Sequence, residues 1–303
     1  IDGVGGTYAY RELVAHEILE ANLASYRGAA AYLSEQDFGV LSLQHEYGIF
    51  GGPAGAHVLT LLRDLRLPVV TTLHTILAEP SPAQRVVMDE LCAHSERLVV
   101  MSAHGAELLK RVHGVPNAKI DLIPHGVPTL PDARLSRQQL GLTGKRVLLT
   151  FGLLSPDKGI EHVIDSLVDI VKEHPDVVYI VLGATHPHVK AKHGEAYREM
   201  LEERTQRLGM SEHVVFHDRL VSNHALVRFL AAADVYVTPY LNAEQITCGT
   251  LAYAVGSGKA VVSTPYRYAE ELLADGRGLL VPAKDHGGLA CAISGLLSDD
   301  KRK

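Results

Sequence analysis

Short apolar segments rich in Val, Ile and Leu recur along the chain and alternate with stretches that have the 3.6-residue period of helices. The segments are apolar on both faces, and roughly 10–20 residues of helix-period sequence separate them, which is typical of a parallel sheet covered by helices. The pattern predicts strands at 38–44, 68–74, 97–102, 119–124, 145–152, 177–183, 213–218, 235–240, 260–265 and 278–282.

These segments fall into two series, which predicts an α/β protein with two Rossmann-like domains facing a cleft. We expect the domains at 1–130 and 145–303, the first of them partial. The stretch between them carries prolines and polar residues, so 131–144 is predicted to be a linker. Open α/β proteins bind ligands beyond the carboxyl ends of their strands. The residues that follow each strand are therefore the candidates for function.

Composition narrows the class of protein. The chain has 303 residues, of which 47% are hydrophobic and 21% charged, enough for two cores. Its net charge of −6 argues against a nucleic-acid partner, which needs a basic surface. No apolar run approaches the roughly 18 residues of a membrane span, and the start of the chain does not resemble a signal peptide. The scattered Cys92, Cys248 and Cys291 favour neither disulfides nor structural zinc, so we expect a soluble, cytoplasmic protein.

Histidines end three strands of the first series. His45 and Glu46 follow the first strand, with a glycine-rich stretch at 48–52 behind them, and His74 and His125 follow two later strands. Histidine can donate to or accept from sugar hydroxyls, or share a proton near neutral pH. The alternative for each histidine is a hydrogen-bonded, partly buried side chain without a ligand.

In the second series, the first strand leads into the sequence SPDKG. Lys158 and Gly159 lie where a helix is predicted to begin, so the lysine and the backbone N–H groups can hold a phosphate. The same sequence is also an ordinary helix start with Ser155 or Asp157 as the cap.

The next strand leads into a segment with three histidines, His186, His188 and His193. Three histidines suggest a metal site, but no carboxylate stands at ligand spacing in this polar segment. We predict a solvated loop here and no bound metal.

Several of these sequences occur in a familiar order. TTLHT, MSAHGAELL, IPHGVP, FGLLSPDKG, HDRL, ADVYVTPY and GSGKAVVSTP, followed by AEELLADGRGLLVP, resemble the retaining GT-B glycosyltransferases of group 1, also called family 4. The resemblance covers nearly the whole chain. It implies that the C-terminal domain binds a nucleotide sugar, that the N-terminal domain binds a carbohydrate acceptor, and that no metal or other cofactor is required.

The resemblance also implies roles for single residues. His74 matches a histidine near the transferred sugar, and Lys158, with Gly152 and Gly159 around it, matches the lysine that pairs with the donor phosphates. A fixed cation there lowers the barrier because the departing diphosphate gains negative charge. Glu271 matches the glutamate of the family's closing E-x-x-x-D-G pattern, and we expect it to bind the donor. The resemblance places His45, Glu46 and His125 on the acceptor side.

The sequence departs from the family at the pair of glutamates that precede a Gly-x-Pro strand. Counted back from that glycine, the two positions hold Gln245 and Tyr253, and a shift of one puts Glu244 and Ala252 there. Either way the second glutamate, which the family uses for the nucleotide ribose, is absent. We expect Glu244, Gln245 and Thr247 to contact the donor instead.

Further departures concern the lysine's partner and the chain ends. The family has Gly-Arg-Leu where this chain has Gly-Leu-Leu at 152–154, so the arginine that accompanies Lys158 is absent. The family's first strand and its last crossing helix are also missing, and the first residue is Ile1. We therefore expect a fragment truncated at both ends, with poor stability or activity.

Three functions stay open. The first is transfer of a hexose from GDP-mannose or UDP-glucose to a carbohydrate or small-molecule acceptor. In it, the leaving phosphate takes the acceptor proton, Lys158 stabilises the charge, and Glu244 is the candidate catalytic carboxylate, with an exposed loop charge as its alternative. The second is a retaining glycoside phosphorylase that uses inorganic phosphate, and the missing ribose glutamate is the reason to consider it. The third is a sugar-binding module with a decayed active site, which the absence of both the arginine and the glutamate suggests.

Overall fold

The computed structural model describes residues 1, 10 and 14–299, and they divide into two compact units between Pro124 and His125. Each unit is a parallel sheet packed against helices, so the prediction of two Rossmann-like α/β domains is confirmed. Nine of the ten predicted segments contain a strand, and the first overlaps one that runs a single residue further.

The first unit holds a four-stranded sheet in the order β1-β2-β3-β4, with every neighbouring pair parallel. Its strands are β1 (Leu41–His45), β2 (Val69–Leu73), β3 (Arg97–Val100) and β4 (Ile120–Leu122). Its helices are α1 (Leu23–Glu35), α2 (His57–Asp64), α3 (Pro82–His94) and α4 (Ala103–His113). Local sequence sets the helix starts: Ser81 and Gln84 form a capping box before α3, and Ser102 caps α4. Leu59, Leu62 and Leu91 belong to its buried core.

The second unit holds a six-stranded parallel sheet in the order β10-β9-β8-β5-β6-β7. Its strands are β5 (Arg146–Phe151), β6 (Val177–Leu182), β7 (Val214–His217), β8 (Val235–Thr238), β9 (Ala260–Ser263) and β10 (Leu279–Leu280). Its helices are α5 (Ala133–Gln139), α6 (Ile160–Glu173), α7 (Pro187–His193), α8 (Ala196–Arg207), α9 (Asn223–Ala232), α10 (Gly249–Gly256), α11 (Arg267–Leu272) and α12 (His286–Ser298). Every residue of β6 is buried, because hydrophobic clusters cover the sheet on both faces.

This strand order places one switch point inside the second sheet. The chain builds outward from β5 through β6 to β7, then returns to place β8 on the other side of β5. The order is that of the doubly wound dinucleotide-binding fold, whose ligands lie where the winding direction reverses. The carboxyl ends of β5 and β8 are therefore the place to look for a site.

Two local predictions are corrected by the structure. The predicted linker 131–144 contains α5, which Asp132 caps by accepting a hydrogen bond from the backbone N–H of Leu135 at 2.7 Å. Helix α5 belongs to the second unit, where Ser136 is buried. The predicted loop with three histidines contains α7, because Pro187 suits a first helical position and His186 caps the helix through its ring nitrogen.

Candidate functional site

The turn after β5 packs directly on the segment after β8. Residues Pro156–Lys158 form a short 3-10 turn, and Gly159 follows with φ +60° before α6 begins. A Cβ atom at Gly159 would lie 2.3 Å from the carbonyl oxygen of Pro239. The backbone N–H of Leu241 donates to the carbonyl of Asp157 at 2.8 Å. A side chain at position 159 is thus excluded by both conformation and space, and the two segments form one surface.

The Lys158 side chain is partly buried where these two segments meet. Its ammonium nitrogen is 3.7 Å from the centroid of the Tyr240 ring. Burial lowers the pKa of Lys158, and the nearby Cys248 and Asp157 act against that shift. Within residues 14–299, no carboxylate lies within ion-pair distance of Lys158. An anion that enters here would meet a partly desolvated cation whose charge is not yet neutralised.

Hydroxyl groups fix the ring beneath the lysine. The Thr250 hydroxyl accepts a hydrogen bond from Tyr236 at 2.7 Å and lies 3.2 Å from both the Tyr240 hydroxyl and the Cys248 sulfur. The Tyr266 ring stacks on Tyr240 with centroids 5.6 Å apart. This network joins the lysine's surroundings to the first turn of α10.

The start of α10 is the second part of the site. Cys248 occupies the N-cap position, but its side chain makes no capping hydrogen bond to the backbone N–H groups of the first turn. Gly152, at the end of β5 with φ +129°, leaves room here: a Cβ on it would touch the Thr250 methyl group at 3.5 Å. The positive end of a helix and a lysine next to it are together suited to a phosphate.

The loop before α10 carries three more of the predicted donor residues, Glu244, Gln245 and Thr247. The side-chain amide of Gln245 donates to the carbonyl of Thr247 at 2.9 Å, and this hydrogen bond shapes the loop from within. The Glu244 side chain is 57% exposed and pairs with Arg267 at 3.3 Å. The Glu244 carboxylate is therefore solvated and partly neutralised by a neighbouring guanidinium.

Glu271 lies on α11, the helix that begins at Arg267. Its backbone carbonyl accepts a hydrogen bond from the guanidinium of Arg277 at 3.2 Å. The structure thus groups Gly152, Lys158 and Gly159 at the carboxyl ends of β5 and β8. It places the two predicted glutamates on the loop before α10 and on α11.

The position of the expected second glutamate is occupied by an aromatic contact. The Tyr253 ring meets the His125 ring edge-on at 5.5 Å and the Phe151 ring at 6.5 Å. His125 belongs to the second unit, and a Cβ on Gly249 would lie 2.9 Å from its Nε2 atom. Ala252, the other possible position, is buried. Neither position provides a carboxylate for a ribose.

In the first unit, the predicted residues at the ends of β1 and β2 differ in their surroundings. His45 is fully buried between the rings of Tyr47 and Phe50, and burial lowers its pKa to about 4. Glu46 is half-buried and accepts a hydrogen bond from the Thr75 hydroxyl at 2.5 Å. His74 lies 2.9 Å from the Gln44 side-chain oxygen. A buried His45 does not offer its ring to an acceptor in this arrangement.

Within the described part of the chain, three side chains bring possible metal ligands together. His162 and Asp165 of α6 and His286 of α12 have ligand atoms within 4.8 Å of one another. Arg204 donates to both oxygens of Asp165, at 2.5 and 2.7 Å. Because this guanidinium neutralises the carboxylate, the group is better described as a hydrogen-bonded cluster than as a cation site. The absence of a metal from the function stays a prediction.

Sequence reasoning missed the residues that support the predicted ones. The Tyr240 ring lies beneath Lys158, and its hydroxyl contacts Thr250. Gln44 contacts His74, and Thr75 donates a hydrogen bond to Glu46. Tyr240 and Gln44 lie at or just beyond the ends of strands, and this position is the one feature of the sequence that could have identified them. Hydroxyl contacts between separate loops have no spacing signature in a sequence.

Comparison with known families matches both units. Residues 132–303 match the family described as glycosyl transferases group 1, and residues 8–129 match glycosyltransferase family 4. None of the described helices combines the length and apolar character that crossing a bilayer requires.

Two curated bacterial relatives illustrate the similarity. The phosphatidyl-myo-inositol mannosyltransferase of Mycolicibacterium smegmatis is 27% identical over 283 residues, covering 92% of this chain and 67% of the relative. The D-inositol 3-phosphate glycosyltransferase of Xylanimonas cellulosilytica is 31% identical over 268 residues, covering 78% of this chain and 60% of the relative. The chain thus spans about 60–67% of the length of these two relatives.

Solved structures share the fold. Anabaena Alr3699/HepE, in complex with UDP and glucose, aligns with a TM-score of 0.73 at 21% identity, over 94% of this chain and 77% of that chain. Sucrose-phosphate synthase from Thermosynechococcus elongatus aligns with a TM-score of 0.70 at 21% identity, over 92% of this chain and 70% of that chain. At this identity the likeness extends to the fold alone.

Proposed function

Because the chain belongs to the glycosyl transferases of group 1, we propose that it transfers a hexose, mannose or glucose, from a nucleotide sugar to a carbohydrate or small-molecule acceptor, with retention at the anomeric carbon. The observation that carries the proposal is the partly buried Lys158, packed beside the uncapped start of α10 at the switch point of the second sheet. The similarity to the mannosyltransferase of Mycolicibacterium smegmatis supports mannose as the transferred sugar. We place this activity in the cytoplasm.

Lys158 has the central role in the proposed reaction. Negative charge grows on the nucleoside diphosphate as its bond to the sugar breaks, and a fixed cation stabilises that charge. The helix start at Gly249 provides further positive potential, and Gly152 keeps the approach open. The leaving phosphate takes the proton of the acceptor hydroxyl, which forms the new glycosidic bond on the same face.

The other predicted residues keep secondary roles in the proposal. We assign His74 to the transferred sugar, and Glu46 and His125 to the acceptor. Gln245, Thr247 and Glu271 are assigned to the edges of the donor site. Glu244 remains a candidate contact to the sugar through its exposed carboxylate. We leave His45 out, because its ring is buried.

Replacing Lys158 tests this assignment. The rate of nucleoside diphosphate release from GDP-mannose and UDP-glucose should fall about 100-fold or more in Lys158→Ala, the usual effect of removing one group that stabilises developing charge. The exposed Lys192→Ala variant is the matched control and should behave as the unmodified protein. Equal rates in Lys158→Ala and the control would rule out the proposed role.

A second candidate function is a retaining glycoside phosphorylase. The aromatic packing of Tyr253, where a ribose carboxylate was expected, favours a donor without a ribose. This candidate predicts release of a sugar 1-phosphate from an oligosaccharide only when inorganic phosphate is present. Saturable sugar binding without either reaction would instead support a sugar-binding module.

A further inference from the structure

The Lys158 ammonium rests on an aromatic face and not on a carboxylate. The nitrogen lies 3.7 Å from the centre of the Tyr240 ring, which is well within the range of a cation–π contact. The face of an aromatic ring stabilises a positive charge without neutralising it. The N–H groups of the lysine therefore remain available to an anion.

The ring is held so that it cannot turn away. Tyr240 is 3% exposed, its hydroxyl lies 3.2 Å from the Thr250 hydroxyl, and the Tyr266 ring stacks on it with an interplanar angle of 18°. Tyr266 in turn lies 3.2 Å from the Thr238 hydroxyl. Hydroxyl contacts and stacking thus fix both the position and the tilt of the Tyr240 ring.

The backbone fixes the lysine relative to this ring. Asp157, next to Lys158, accepts a hydrogen bond from Leu241, next to Tyr240. Gly159, on the other side of the lysine, packs against the carbonyl of Pro239. The residues that flank Lys158 are therefore tied to the residues that flank Tyr240, and the side chains meet as a consequence.

We propose that Tyr240 is a positioning residue whose ring holds the Lys158 ammonium charged and in place for the phosphate of the sugar donor. The inference rests on the proposed function for the identity of that anion. The contact between ring and lysine can be tested without any substrate.

The experiment follows the Lys158 ammonium by NMR in protein labelled with 15N at the lysine side chains, with the signal assigned by its loss in Lys158→Arg. Tyr240→Phe keeps the ring face and removes the hydroxyl, so the pKa of Lys158 should stay near that of the unmodified protein. Replacing Tyr240 with trifluorophenylalanine keeps the shape of the ring but withdraws electron density from its face. The charged lysine then loses stabilisation, and its pKa should fall.

Kinetics provide the second readout. The high-pH limb of kcat should move to lower pH in the trifluorophenylalanine variant, with kcat lowered about tenfold, while Tyr240→Phe stays within about threefold of the unmodified protein. Tyr268→Leu, at a buried tyrosine outside this contact, controls for general destabilisation and should leave the Lys158 titration unchanged. Because the fluorinated ring is nearly isosteric, the comparison does not depend on a cavity-forming variant that fails to fold.

The outcomes separate the two proposals. Equal Lys158 titrations in the Phe and trifluorophenylalanine variants would overturn the role of the ring, even if the protein transfers sugar. A titration that follows the fluorination, in a protein that turns over no sugar nucleotide, would support the ring contact and overturn the proposed function.

Discussion

Gly159 is the residue of the candidate donor site at which a side chain has the least room. It combines φ +60° with a backbone oxygen 2.3 Å from the position of a Cβ. Gly209 has a similar φ of +70°, and no atom lies within 4 Å of the position of its Cβ. Replacing Gly209 with alanine therefore measures the cost of the backbone conformation alone.

Gly159→Ala should therefore cost more than Gly209→Ala. We expect about 1 kcal/mol for Gly209→Ala, from the left-handed conformation alone, and roughly 3 kcal/mol for Gly159→Ala, because its methyl group must also displace Pro239. Urea unfolding of both variants measures the difference. Equal losses of stability would show that the turn and the 239–241 segment do not pack as described.

His45 gives a residue-level prediction about pH. Its pKa is lowered from 6.5 to about 4, so the unfolded chain binds a proton over this range while the folded chain does not. Stability from this residue is complete above pH 6.5 and is lost as the pH falls toward 4, by about 3 kcal/mol in total. His45→Phe should flatten the dependence of unfolding free energy on pH between 6.5 and 4, whereas the exposed His193→Ala variant should retain it. An unchanged slope in His45→Phe would contradict the buried neutral ring.

Single residues were predictable from sequence to the extent that they follow strands. Lys158 and Gly159 were identified this way and Gly152 through the family resemblance, and the structure brings the three together. Tyr240 was not, because its importance comes from a ring face and a hydroxyl network that only the folded loops create. His45 followed a strand as well, but its burial depends on how the aromatic rings of the next five residues fold around it.

At the scale of elements, α5 shows where sequence patterns are least informative. Seven residues with two arginines have no clear helical period, and tertiary contacts decide their structure. Arg137 of α5 pairs with Asp234 at 2.8 Å, and Asp234 also accepts a hydrogen bond from the N–H of Val147 at 2.7 Å. One carboxylate thus joins α5 to the start of β5.

Asp234→Ala should destabilise the second unit by roughly 2–4 kcal/mol, since it removes both bonds and leaves a partly buried arginine without its partner. Asp169→Ala, which breaks the exposed pair with Lys172, should cost less than about 0.5 kcal/mol. Thermal unfolding of the two variants tests this, and similar effects would mean that α5 is held by other contacts.

The strands were the most predictable elements. Runs that are apolar on both faces indicate buried parallel strands, and each predicted segment overlaps one. The order of the strands in the second sheet does not follow from the sequence, because spacing along the chain does not specify which strand lies beside which. That order is what identifies β5 and β8 as the neighbours that carry the site.

For the whole molecule, the family assignment rests on matches to both units. Within the second unit, the switch point, Lys158 and the start of α10 together support a phosphate-bearing donor. The position that binds the nucleotide ribose in the family differs here, because Tyr253 makes an aromatic contact where a carboxylate is expected. The class of reaction was therefore more predictable than the donor.

The most direct test of the central claim is an NMR time course of the protein with a panel of sugar nucleotides and candidate acceptors. We predict loss of GDP-mannose or UDP-glucose, release of the nucleoside diphosphate, and an anomeric proton in the product with the configuration of the donor. No turnover of any sugar nucleotide, together with phosphate-dependent release of a sugar 1-phosphate from an oligosaccharide, would contradict it.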